Sequence, residues 1–155
     1  MTRIKFTPWV RWDDRGKIGG IKNPGVYALV ITTKDISKTP FEYIEEIVYF
    51  GMTNSVGELK ARLNQFDYTI SQKKRSVHGG AERFLYKYKD YSKLIKKLFV
   101  SVCPVECDVK SNSPEDLLKM GDVAKLEYQC FAKYAEKFKK LPKFNDKKNS
   151  PKIKE

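Results

Sequence analysis

The sequence predicts a mixed α/β fold of the α+β kind, in which three short strands are flanked by helices. Two apolar runs, residues 24–31 and 47–51, each set a tyrosine beside or near a glycine (Gly25, Tyr27; Tyr49, Gly51). Both are rich in β-branched and aromatic residues and are bounded by turn residues, which marks strands. A third run of the same kind, residues 99–103, stops at Pro104. Between and after these runs the apolar residues recur at steps of three and four, the period of a helix packed on one face. A chain of 155 residues suffices for one domain with a real core.

In chain order, residues 1–23 place Phe6, Trp9 and Trp12 among charges before Gly19 and Gly20. They read as an arm that packs its aromatics on the domain, with no secondary structure assigned. The first strand covers residues 25–32, a loop with Pro40 follows, and the second strand covers 46–51. Ser55 and Glu58 have capping-box spacing, so a helix is expected over 55–66 with Val56, Leu59, Leu63 and Phe66 on one stripe. Arg62 falls at the edge of that stripe, either as a stem that covers the core while its head reaches water or as a functional cation. Residues 68–80 read as a basic loop containing Lys73, Lys74, Arg75 and His78. Residues 81–97 mix Arg83 and lysines with aromatics and are helical in part. Ser113, Pro114, Glu115 and Asp116 are a helix start, with a cap, proline at the first position and acids in the first turn. Gly121 is a point where that helix could kink or split before the strong pattern over 122–138. The core thus spans 24–145, and the Lys-rich residues 146–155 read as a flexible tail.

The net charge of +12 is regional. Residues 60–97 carry eleven Lys and Arg against three acids, and residues 133–155 carry nine against three, while the rest is slightly acidic. Two basic segments on one small domain suit a polyanion such as DNA; the plain alternative is a solvated Lys-rich surface. Three cysteines argue against a disulfide framework. Cys103 and Cys107 make only half of a zinc site, so free thiols are expected. No apolar run approaches the roughly 18 residues of a membrane span, and no secretory signal is recognisable, which makes the cytoplasm the expected compartment.

One residue of the long helix stands out. Glu127 is related by helical steps to Val123, Cys130, Phe131, Tyr134 and Phe138, so it points with the apolar stripe toward the sheet. Burying an ionised carboxylate is costly unless a cation or several donors compensate it. Spacing alone allows two answers: an ion pair, for which Arg62 is a candidate, or a ligand for a hard divalent metal.

Gly25-Val26-Tyr27, Tyr49-Phe50-Gly51, Arg62 on the next helix, His78 in the next loop, Glu127 on a late helix and Asn145 after Pro142 together resemble the core of the GIY-YIG nucleases, over residues 24–145. Phe50 replaces the usual isoleucine, and the link over 32–46 is longer than the compact family form. The resemblance implies a small three-stranded antiparallel sheet flanked by helices. It also implies a metal-dependent DNA endonuclease using Mg²⁺ or Mn²⁺, held by Glu127. Tyr27, Tyr49, Arg62, His78 and Glu127 would be catalytic, with Gly25, Gly51 and Asn145 as structural motif residues. Tyr27, with His78 or Tyr49, would orient or deprotonate the attacking water, and Arg62 would clamp a phosphate oxygen. Lys60, Lys73, Lys74, Arg75 and Arg83 would grip the DNA backbone, double-stranded in the leading reading. A restriction-type enzyme is the expectation within the family, and cutting a palindrome would favour a homodimer. A structure- or single-strand-specific nuclease, or a non-catalytic nucleic-acid-binding module on the same fold, are the competing readings.

Overall fold

The structure, a computed structural model, describes residues 5–73 and 78–152. Lys74 and Arg75 lie outside the described residues. The elements run β1 (Val10–Arg11), a 3-10 helix (Trp12–Lys17), β2 (Gly25–Ile31), β3 (Ile47–Thr53), α1 (Glu58–Ile70), α2 (Gly79–Lys87), α3 (Tyr91–Ile95), β4 (Leu98–Pro104) and α4 (Pro114–Phe138). Among the described residues the sheet has four strands rather than three, in the order β1-β4-β2-β3, and every pairing is antiparallel. The extra strand is the two-residue β1 in the N-terminal arm, which pairs Val10 with Val100 and Arg11 with Phe99. Thr7 extends that contact, its backbone N–H donating to Val102 O at 2.8 Å.

β2 lies between β4 and β3 and is apolar on both sides because both faces of the sheet are covered. Tyr27 and Leu29 face α1, α2 and the 3-10 helix, where Trp12, Leu59, Leu63, Phe66 and Phe84 complete one core. Val26, Ala28 and Val30 face α4, where Val123, Leu126, Cys130 and Tyr134 complete the other. β3 departs from strict alternation. Leu29 pairs with Tyr49 but Val30 pairs with Ile47, so Val48 is an extra residue at a bulge. The bulge puts Ile47 and Phe50 on the α4 face and turns Tyr49 toward α1 and α2.

Several local expectations need correcting. α1 opens at Glu58 with Gly57 as its cap and no side-chain cap bond, so the expected capping box does not form. Val56 is exposed, outside the apolar stripe, and α1 continues to Ile70 into the stretch read as loop. Gly121 lies inside α4 with open space around its Cα, and the helix is continuous through it. Residues 146–150, expected to belong to a tail, include the buried Ser150. The three cysteines are free thiols, as expected.

Candidate active site

The candidate site forms where the two helical layers meet over β3, the edge strand. A cleft of about 560 Å³ is lined by Tyr49 and Phe50 of β3, Arg62 of α1, Gly79, Gly80 and Arg83 of α2, and Glu127, Tyr128 and Phe131 of α4. Leu141, Phe144, Asn145, Lys147 and Lys152 close it from the C-terminal segment. Four cations and one carboxylate thus share one concave surface, a composition that favours an anionic ligand.

The two tyrosines are not equivalent. Tyr49 faces the cleft, whereas Tyr27 is fully buried behind it, with the two rings 6.1 Å apart. Tyr27 Oη lies 2.6 Å from His78 Nε2. On the other side of the imidazole, Nδ1 accepts the Ala81 backbone N–H at 3.2 Å and so caps α2. A neutral ring whose Nδ1 accepts carries its proton on Nε2, so His78 donates to Tyr27 Oη. The Tyr27 proton is then free to point at Tyr49. Burial, with a further push from the Arg62 charge, lowers His78 to about 3, which keeps the ring neutral. Burial, with Tyr49 beside it, also holds the Tyr27 hydroxyl well above the ordinary phenol range. Tyr49 is raised as well, first by burial and then by Glu127, while Arg62 and a hydrogen bond from Tyr27 oppose the rise. The Ala81 N–H and His78 thus fix the orientation of Tyr27, whose ring lies beside that of Tyr49.

Two glycines make this close packing possible. A Cβ on Gly51 would collide with the Tyr27 ring, and one on Gly80 would collide with the Tyr49 hydroxyl. Gly25 sits equally close to the backbone of Cys103. Their role is close approach, which any side chain would prevent.

Glu127 lies at the margin of the buried line of α4, which Val123, Leu126, Cys130 and Tyr134 occupy. It is half-buried and turned into the cleft. Desolvation raises its carboxyl to about 7, and the positive charges of Arg62 and Lys147 only partly offset this. Among the described residues no salt bridge joins Glu127 to Arg62; the guanidinium Nη1 donates instead to Gln65 Oε1 at 3.1 Å. Arg83 Nη1 donates to Gly79 O at 3.3 Å, while its buried Nε has no partner among the described residues.

Asn145 completes the framework. Its side chain accepts from Phe50 N–H at 2.8 Å and donates to Phe50 O at 2.9 Å, as a neighbouring strand would. Of the residues expected to grip DNA, Arg83 lines the cleft, whereas Lys60 and Lys73 are exposed outside its lining. The sequence reading missed Lys147 and Lys152, assigned to a tail, and Gly80, whose close approach to Tyr49 leaves no local signal.

Compared with protein-family models, curated proteins and solved structures, the chain matches none.

Proposed function

We propose that the protein is a metal-dependent endonuclease that hydrolyses phosphodiester bonds in DNA, with the cleft over β3 as its active site. The observation that carries this reading is Glu127: a half-buried carboxylate that forms no ion pair among the described residues, turned into a cleft it shares with Arg62, Arg83, Lys147 and Lys152. A carboxylate turned into a polar cleft supplies the hard oxygen donor that a divalent cation takes. Among the described residues no group of three or more acidic, His or Cys side chains could enclose a metal. A single carboxylate suits Mg²⁺, which keeps several waters and binds through one or two carboxylates plus substrate phosphate. Mn²⁺, which shares its preference for oxygen donors, suits the same site.

When bound at Glu127, the cation would supply Lewis-acid polarisation of the scissile phosphoryl group. The residues of the chain do the remainder. Arg62 presents a planar fork to a phosphate oxygen, and Arg83, which also lines the cleft, brings a second guanidinium charge. Tyr49 orients the attacking water with its hydroxyl. Tyr27 and His78 are positioning residues that hold Tyr49, since neither reaches the cleft surface. The order of Tyr27, Tyr49, Arg62, His78, Glu127 and Asn145 along the chain, and the convergence of all six on one edge of the sheet, support the GIY-YIG-like reading.

The test is cleavage of plasmid, linear and single-stranded DNA with Mg²⁺, Mn²⁺ or EDTA. The wild type is expected to cleave only with metal, and Glu127→Gln to bind DNA without cleaving it. A pure, folded Glu127→Gln protein that still cleaves rules out the mechanism; metal-independent absence of cleavage by the wild type favours a binding module. Discrete products would support the restriction-type reading. A homodimer on double-stranded DNA is the arrangement that symmetric cutting would require.

A further inference from the structure

We propose that residues 142–152 form a second phosphate-binding wall of the cleft, with Lys147 and Lys152 gripping nucleic-acid backbone phosphates that flank the scissile one. This rests on the nucleic-acid reading of the same cleft. The segment follows the last helix, and its composition alone suggests a solvated tail. Its hydrogen bonds show a folded strap. Phe144 N–H donates to Val48 O at 2.9 Å, and Asn145 pairs twice with Phe50. Asn145 N–H and Asp146 N–H both donate to Pro142 O, at 2.9 and 3.2 Å. Asn149 then closes a turn by donating from Nδ2 to Asp146 Oδ2 at 2.8 Å. The buried Ser150 hydroxyl donates to Lys143 O.

That strap sets one lysine toward each helical layer. Lys147 lines the cleft with Glu127 of α4, and Lys152 lines it with Gly79 at the start of α2. The Lys152 ammonium would lie 3.0 Å from a Cβ on Gly79. Its carboxylate partner, Glu82, stands 4.0 Å away at the limit of an ion pair, and the Lys152 side chain is 45% exposed. So loose a pair yields readily to phosphate oxygens. Among the described residues, four cations against one carboxylate leave a positive excess that a divalent ion would enlarge and a single phosphodiester would not balance. The excess suits a chain of phosphates rather than a mononucleotide.

The experiment measures binding of a fluorescent 20-base-pair duplex by anisotropy across 50–200 mM salt, in a Glu127→Gln background that leaves the DNA intact. Each phosphate contact contributes about 0.9 to the slope of log K against log salt on duplex DNA, and about 0.7 on a single strand. Lys147→Gln and Lys152→Gln should each lower the slope by about that amount, and the double variant by about twice as much. Lys→Arg at either position should restore it, which separates lost charge from a disturbed strap. Lys34→Gln, exposed in the loop after β2, should leave the slope unchanged. A double variant that melts like its parent and keeps the parental slope overturns the proposal while leaving the nuclease reading intact. Absence of salt-dependent binding by the parent overturns both. Cleavage by Glu127→Gln overturns the metal mechanism alone.

Discussion

Tyr49 carries a hydroxyl on the cleft side, with Tyr27 and His78 buried behind it. Tyr49→Phe removes the cleft-facing donor without opening the core, so cleavage should fall by about 10²-fold with little change in melting temperature. Tyr27→Phe should do the reverse. It leaves the buried Nε2–H of His78 without an acceptor, which costs about 1–3 kcal/mol of stability, and its rate loss should be the smaller one. Measuring kcat and thermal melting on both variants separates the roles, and wild-type cleavage by Tyr49→Phe would remove Tyr49 from the chemistry. Gly80→Ala pushes on the far end of the Tyr49 side chain, so it should imitate Tyr49→Phe in rate while keeping the fold. At this scale the sequence was partly informative. Tyr27, Tyr49, Arg62, His78 and Glu127 do converge; Arg62 and Glu127 announced themselves as charges on apolar stripes, whereas His78, in a basic loop, was marked only by the family resemblance. The distinction between the two tyrosines was not legible. It depends on the bulge at Val48 and on which ring lies nearer the sheet edge.

The elements were legible where their burial is two-sided or their period is long. β2 and β4 declare themselves by continuous apolar runs, and α4 by its capped start and repeating stripe. β1 was not, because two residues form a strand only when a partner edge is present. The start of α1 was misread since Ser55 and Glu58 have the right spacing, yet Glu58 adopts a left-handed φ of 63° and the reciprocal bonds cannot form. A larger omission is Asp67. This buried carboxylate accepts from Trp12 Nε1 at 2.8 Å and from Tyr91 Oη at 2.7 Å, and it pairs with Arg15 at 3.3 Å. It ties the 3-10 helix and α3 to α1, and its partners lie too far apart in the chain for any local pattern to reveal them. Asp67→Ala strands three donors at once, so chemical denaturation should show a loss of about 2–4 kcal/mol. Loss of less than about 1 kcal/mol would mean that water replaces the network.

At the scale of the whole molecule, two buried titrations act in opposite directions. His78 is lowered to about 3 in the fold, so its contribution is complete above the unfolded value near 6.5 and is lost as pH falls through that window. Glu127 is raised to about 7, so its contribution is complete below the ordinary carboxylate value and is lost as pH rises toward 7. A cation on Glu127 reverses the second effect, because proton and metal compete for one carboxylate. Mg²⁺ should therefore raise the melting temperature at pH 8, by about 1.4 kcal/mol of stability at ten times its dissociation constant. It should do little at pH 5.5, and Glu127→Gln should abolish the shift at both. An equal shift in the variant would place the cation elsewhere. Among the described residues no helix is long and apolar enough to cross a membrane. The pairing of Asn145 with Phe50 bears on how molecules of this protein meet one another. β3 ends the sheet, and an open strand end-row invites a foreign strand to add to it. Here Phe144 and Asn145 already occupy the hydrogen-bonding groups of Val48 and Phe50, while the opposite border is only two residues long. The molecule thus offers its neighbours little to zip onto. The same two residues that line the cleft thus occupy edge groups that a foreign strand would need.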